Sequence, residues 1–302
     1  MNLPSNGITP PLITPLREPD QLDAAAFGRI ATRAIDAGVK GLFVLGTTGE
    51  GPSLSQLLKR EVIKRCCEIA GPEMPVLAGL LEASTDDALR LADFAAQHGA
   101  AALVWTPPFY YPIPQDAVLR AAERLIPRLP LPVYLYNIPV FTKVPLEPET
   151  LARLAQLPNV CGIKDSGGDL NKLALTRALL PDMPILWGPE EILLEAMAHG
   201  ATGGVNGGAN LFPELFVALY NAIAAADQPR ARLLQDLVAR INNEIYKPSG
   251  SPGFVFGIKC ALEDLGLAGS LPAEPLTALE GPPRENIRTS IAAIAAAVSS
   301  AL

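Results

Sequence analysis

Eight short apolar runs, at 8–16, 41–45, 75–80, 101–105, 131–136, 160–163, 184–187 and 201–205, recur along this chain with helix-patterned stretches between them. The intervening segments at 22–37, 55–70, 85–98, 115–129, 147–157, 169–180 and 190–199 space their apolar residues at the helical period. A strand that returns through a helix must run parallel to its predecessor. An open doubly wound sheet satisfies the same alternation, but eight units favour a closed (β/α)8 (TIM) barrel of the α/β class. In either fold the chemistry sits at the carboxyl ends of the strands. Three echoes support the repeat, because Gly38, Gly99 and Gly200 each separate a helix from the next strand, the position of the left-handed stop glycine. The only two histidines, His98 and His199, precede two of these glycines. There an imidazole meets the negative end of a helix, a structural role.

The barrel is expected over residues 1–224 as the catalytic domain, with an all-helical C-terminal extension at 225–302. The alanine-rich 287–302 segment is expected to pack on the barrel or on a neighbouring subunit. Of the 302 residues 49% are hydrophobic and 18% charged, ample material for a large core. A net charge of -7 offers no attraction to phosphodiester backbones, so no nucleic-acid partner is expected. The N-terminus shows no basic and apolar leader pattern, and no apolar run approaches the roughly 18 residues of a membrane span. A cytoplasmic location without membrane association is the expectation, with the four cysteines reduced.

Polar residues at the strand ends converge on one rim: Gly46 to Glu50, Thr106 to Tyr111, Tyr136 to Pro139, Lys164 to Ser166, Gly188 to Glu191 and Asn206 to Asn210. Lys164 ends the apolar Cys161-Gly162-Ile163 run, which aims its amine into a partly desolvated barrel mouth. Burial lowers a lysine pKa, and a neutral amine is the nucleophile that imine formation requires. The alternative is an ammonium that reaches solvent or pairs with Asp165. None of the other seven lysines occupies such a place. Tyr136 ends the adjacent strand, where its phenol can exchange protons with an imine precursor or simply pack. Thr47 and Thr48, in a glycine-flanked turn, offer hydroxyls and backbone N–H groups to a small carboxylate. No His-x-x-x-His, cysteine cluster, Gly-x-Gly-x-x-Gly or P-loop is present, so neither a metal nor a nucleotide cofactor is expected.

Together these strand ends, with Thr9-Pro10, Ile13-Thr14-Pro15, Thr106-Pro107, Gly257-Ile258-Lys259 and Leu265-Gly266-Leu267, resemble the dihydrodipicolinate synthase / N-acetylneuraminate lyase family of pyruvate-dependent class I aldolases. The resemblance spans nearly the whole chain. It implies a homotetrameric barrel enzyme that needs no metal or organic cofactor, because the lysine imine is itself the electron sink. Lys164 would form the imine with pyruvate and Tyr136 would shuttle protons. Thr47 and Thr48 would hold the pyruvate carboxylate, with Thr48 also in a hydroxyl relay to Tyr110, a tyrosine that the family supplies across a dimer contact. Gly188 and Val205 match backbone positions around pyruvate.

The resemblance also divides on the second substrate. Dihydrodipicolinate synthases carry an arginine two residues after the proline of the strand-5 motif, for the carboxylate of aspartate semialdehyde; this chain has Phe141, with Lys143 two residues beyond. Gly188-Pro189-Glu190-Glu191 instead resembles the sialic-acid lyase pattern, whose two acids accept sugar hydroxyls; as plain helix-start chemistry the same residues need no ligand. Asn206 would add a further polar contact. The expectation is a lyase that cleaves or forms a carbon–carbon bond of a hydroxylated 2-oxo acid, such as a 2-oxo-3-deoxy sugar acid. The alternatives are 4-hydroxy-tetrahydrodipicolinate (dihydrodipicolinate) synthase, a sugar-acid dehydratase, a phosphosugar isomerase holding phosphate at Gly203 to Gly208, and a non-enzymatic solute-binding barrel.

Overall fold

In the computed structural model, which describes residues 3–250 and 252–302, eight parallel strands make one sheet. They are β1 (Gly7–Ile8), β2 (Leu42–Val44), β3 (Val76–Leu80), β4 (Ala102–Trp105), β5 (Val133–Asn137), β6 (Val160–Asp165), β7 (Ile185–Trp187) and β8 (Gly203–Gly204). Each pairs with its successor from β2 to β8, and β8 pairs with β1. The ring closes between β1 and β2 through the Pro11–Phe43 bridge, with the Leu12 N–H donating to Phe43 O at 2.7 Å and the Phe43 N–H donating to Pro10 O at 3.0 Å. The fold is a closed (β/α)8 barrel.

The first apolar run departs from its expected strand at 8–16. Pro10 and Pro11 have no N–H to give a ladder. Regular pairing therefore stops at Ile8, and the run ends in a separate hairpin of Leu16–Glu18 with Gln21–Leu22. The expected helix at 190–199 is likewise split, into a 3-10 turn at Glu190–Ile192 and a helix at Leu193–Ala198. Strand β6 runs further than its apolar pattern, so Lys164 lies inside the strand rather than just beyond it.

The alternation of the strands sorts their side chains into two cores. Phe43, Leu77, Val104, Tyr134, Tyr136 and Leu186 fill the barrel interior. Leu42, Leu103, Leu135, Ile163 and Trp187 face outward under the helices. Lys164 shares the inward face with Gly162, where a Cβ would come within 2.4 Å of the Tyr134 ring. Both histidines occupy helix ends as read from the sequence: Nδ1 of His98 lies 2.9 Å from Phe94 O, and Nδ1 of His199 lies 2.8 Å from Glu195 O.

The C-terminal residues form helices Gln228–Arg240, Gly253–Asp264 and Pro282–Ala301, with a π-helical turn at Ile241–Tyr246. The last helix buries Ile287, Ile291, Ile294 and Val298 in one stripe against the other C-terminal helices, so its cover is local. One ion pair ties this segment to the barrel mouth. Lys259, wholly buried, pairs with Glu50 and donates to Leu271 O at 2.7 Å, while the Ala273 N–H donates to Glu50 Oε2 at 2.6 Å. Glu50 ends the turn that carries Thr47 and Thr48, and its own φ of 56° is left-handed. Removing one partner of a buried pair strands the other charge, at about 3–5 kcal/mol. Lys259→Met is expected to lose stability on that scale in urea denaturation, with part recovered in Lys259→Met/Glu50→Gln. An unchanged midpoint in the single variant would show that the pair does not hold the turn.

Candidate active site

Strand register builds the centre of the site. Tyr136 on β5 pairs directly with Lys164 on β6, and Asn137 with Asp165. The two inward side chains are thus neighbours, and Lys164 Nζ stands 3.5 Å from the Tyr136 ring centroid and 5.6 Å from that of Phe43. The outward Asp165 accepts from Asn137 Nδ2 at 2.9 Å and from the Gly167 N–H at 2.7 Å. Its carboxylate is thereby held away from the lysine it follows.

Burial holds the Lys164 amine well below the ordinary lysine range, with Asp165 opposing the shift. Lys59 and Lys259 are buried as well, against the expectation that no other lysine competes. Each has a carboxylate, Glu82 for Lys59 and Glu50 for Lys259. Lys164 has only the Ser166 hydroxyl, 3.3 Å away, and no ion pair among the described residues. Burial without a counter-charge is what favours the free amine.

The same environment pushes the Tyr136 phenol up to about 12: burial is the main cause, Asp165 adds to it, and the Thr47 and Ser166 hydroxyls oppose it. Thr47 Oγ1 lies 3.2 Å from Tyr136 Oη. The expected relay runs from Thr48 to Tyr110; within one subunit it is Thr47 that meets the Tyr136 phenol. Leu45, just before the turn, has a φ of 60°, and added Cβ atoms at Gly51 and Gly79 would come within 2.1 and 2.4 Å of its carbonyl oxygen. A strained backbone of this kind persists only where its surroundings fix it.

Lys164, Tyr136, Thr47, Thr48, Gly188, Glu190, Glu191, Val205 and Phe141 all line one cavity of about 250 Å³ at the carboxyl ends of the strands. A Cβ at Gly188 would lie 2.2 Å from Ser166 Oγ and displace that hydroxyl from its place beside Lys164. Tyr110 does not reach the cavity: it is 70% exposed, with its ring 4.8 Å from that of Tyr111. Lys143 is exposed and absent from the lining, capping the short helix Pro139–Thr142 with a φ of 59°. Asn206 is buried outside the lining, its amide donating to Trp187 O and Gly188 O.

Glu190 is buried, and both its oxygens are occupied: Oε2 accepts from the Gly208 N–H at 2.9 Å and Oε1 from Tyr246 Oη at 2.8 Å. The Gly203 to Gly208 loop, a place for phosphate from sequence, thus already holds a carboxylate. Burial first, then Glu191, push Glu190 up to about 7, while its hydrogen bonds pull the other way. Ser166, Asn242, Tyr246 and Phe254 also line the cavity. Ser166 was within reach of sequence, two residues from Lys164; no local pattern marks the other three. Among the described residues no three His, Cys, Asp or Glu side chains are grouped as metal ligands, and no helix is long and apolar enough to cross a membrane.

An amine with a lowered pKa beside a proton-bearing phenol serves imine formation with a carbonyl compound, and the protein is an enzyme of the Schiff-base aldolase and lyase class. The chain belongs to the dihydrodipicolinate synthetase family, whose model matches residues 4–294. It is 35% identical over 277 residues to a 4-hydroxy-tetrahydrodipicolinate synthase of Hyphomonas neptunium, covering 90% of this chain and 92% of that one. The structure of dihydrodipicolinate synthase from Bacteroides thetaiotaomicron superposes with a TM-score of 0.92 at 43% identity, over 97% of this chain and 100% of that one. A family member from E. coli K12, solved in complex with pyruvate, gives a TM-score of 0.90 at 26% identity, over 96% and 98% of the two chains. The family is pyruvate-dependent and works through a lysine imine without a metal. Membership sets aside the phosphosugar isomerase and the non-enzymatic barrel.

Proposed function

We propose that this enzyme joins pyruvate reversibly to a neutral, hydroxylated aldehyde, cleaving a 2-oxo-3-deoxy sugar acid or a sialic-acid-like 2-oxo acid in the reverse direction. The observation that carries the reading is the lining beyond Lys164. There Val140, Phe141 and Phe254 stand with Glu190, Glu191, Asn242 and Tyr246, and no cation other than Lys164. A substrate carboxylate in this part of the cavity has no charge-assisted partner, whereas hydroxyls have acceptors.

In the cleavage direction, the Lys164 amine attacks the 2-oxo carbon and the Tyr136 phenol gives its proton to the departing hydroxide. Water and a cationic imine result. The Tyr136 phenolate then takes the proton of the C4 hydroxyl as the C3–C4 bond breaks. Its electrons enter the iminium to give an enamine, and the aldehyde leaves. Protonation at C3 and hydrolysis release pyruvate and free Lys164. The faces of Tyr136 and Phe43 favour the cationic imine. Thr47 and Thr48, with the backbone at Gly188 and Val205, hold the pyruvate carboxylate. Tyr110, exposed on its own subunit, completes the site of a neighbour within a homotetramer. Residues 1–224 are the catalytic barrel and 225–302 a helical domain that walls the aldehyde side, in a cytoplasmic enzyme without membrane or nucleic-acid partners.

Two other readings share the imine. Synthesis of 4-hydroxy-tetrahydrodipicolinate is favoured by the names of the relatives, and a dehydratase would break a carbon–oxygen bond instead. The test compares kcat/KM for pyruvate with aspartate semialdehyde and with short sugar aldehydes. Loss of a charge-assisted hydrogen bond costs about 1.5–3 kcal/mol, so the sugar aldehydes are expected to win by roughly ten- to a hundred-fold. Phe141→Arg is expected to narrow that gap. A wild-type preference for aspartate semialdehyde, untouched by Glu190→Ala, would make the enzyme a lysine-pathway synthase.

A further inference from the structure

The π-helical turn Ile241–Tyr246 brings Asn242 and Tyr246 to the same cavity wall. A π turn packs an extra residue into a helix and is frequent at functional sites. This one is clamped from behind by the helix Gly253–Asp264. A Cβ at Gly253 would come within 2.1 Å of Tyr246 O, and one at Gly257 within 2.8 Å of Ile245 O. Only glycine at these two positions lets the helix approach so closely.

Tyr246 Oη donates to Glu190 Oε1 at 2.8 Å. Three elements hold that acceptor in place. Gly208 N–H, from the loop after β8, binds its other oxygen, and Gln235 Nε2 donates to the Glu190 backbone carbonyl at 2.9 Å, while Gln235 Oε1 accepts from the Leu194 N–H at 3.0 Å. Once Glu190 is ionised, above about pH 7, its carboxylate takes the Tyr246 hydrogen, and the phenol turns only lone pairs toward a ligand.

We propose that Tyr246 and Asn242 are specificity-determining residues that select a hydroxyl-bearing aldehyde, with Glu190 as the positioning residue that makes Tyr246 an acceptor. A substrate hydroxyl donates to Tyr246 Oη, and the Asn242 amide completes its hydrogen bonding. An acceptor-only group, such as a carboxylate, meets lone pair against lone pair. This inference rests on the aldolase reading above and adds the residues that set substrate class.

The test compares glyceraldehyde with propanal as the partner of pyruvate, together with borohydride trapping of pyruvate on Lys164. The kcat/KM ratio of glyceraldehyde to propanal is expected to fall by about 3- to 10-fold in Tyr246→Phe, the scale of one neutral hydrogen bond. Asn242→Ala, which leaves the Tyr246–Glu190 contact in place, provides the same ratio should Tyr246→Phe not fold, and a comparable fall is expected. A wild-type ratio in a variant that still traps pyruvate overturns this inference alone. Failure of the wild-type protein to trap pyruvate overturns the aldolase reading, and this inference with it.

Discussion

Lys164→Ala is expected to abolish the covalent adduct that pyruvate and borohydride leave on the wild-type enzyme, and to lower kcat by about 10⁴ to 10⁶, the scale of losing a covalent nucleophile. The expectation comes from what distinguishes this amine among three buried lysines. Lys59 and Lys259 each face a carboxylate, Glu82 and Glu50, so a counter-charge sits against each of those amines. Lys164 faces two aromatic rings and one hydroxyl, and its pKa is lowered by burial. A group with a depressed folded pKa resists protonation, so its nucleophilic form persists to lower pH than that of a surface lysine. The trapping rate should therefore fall only as pH drops through that lowered value. Loss of activity in Lys164→Ala should come without loss of stability, because the change removes a desolvated amine that has no ionic partner. Peptide mapping of the wild-type adduct is the decisive measurement. An adduct on Lys59, Lys259 or any other lysine, or full turnover by the alanine variant, would end the imine account.

Tyr136→Phe should lower kcat by about 10² to 10⁴ while changing the KM for pyruvate little, the pattern of a lost proton carrier. The substitution keeps the ring that lies 3.5 Å from Lys164 Nζ and removes only the hydroxyl. Phenol protonation up to about 12 means that Tyr136 carries its proton at neutral pH and has one to give when hydroxide leaves the carbinolamine. Thr47 Oγ1, at 3.2 Å, is positioned to stabilise the phenolate that follows. Slow borohydride trapping in Tyr136→Phe, with near-normal trapping in Thr47→Val, would fit that order of importance. If kcat is unchanged in Tyr136→Phe, the tyrosine is packing and another group moves the proton.

The period of the apolar runs, the stop glycines and the strand-end lysine were written locally, because strand alternation and helix caps depend on neighbours a few residues away. These features pointed to eight βα units, the face on which chemistry lies and the capping histidines, and they put Lys164 and Tyr136 at adjacent strand ends; the family resemblance joined those two as a pair. Closure of the ring past Pro10 and Pro11 was not local, since it depends on which groups of β2 come opposite. Nor was the distinction between Lys164 and the equally hidden Lys59 and Lys259, whose partners lie 23 residues away at Glu82 and across the chain at Glu50. The contact of Thr47 with the Tyr136 phenol joins residues 89 positions apart, and the turn that presents it passes close to Gly51 and Gly79, where a side chain would meet the Leu45 carbonyl. Glu190 read equally well as a helix start and as a sugar contact, until Tyr246, 56 residues on, was found against it. The acid–phenol pair exists because a π-helical turn in the C-terminal segment folds back over the mouth of the barrel. Long-range packing of that kind leaves no period in the sequence, and here it decided which groups the second substrate meets.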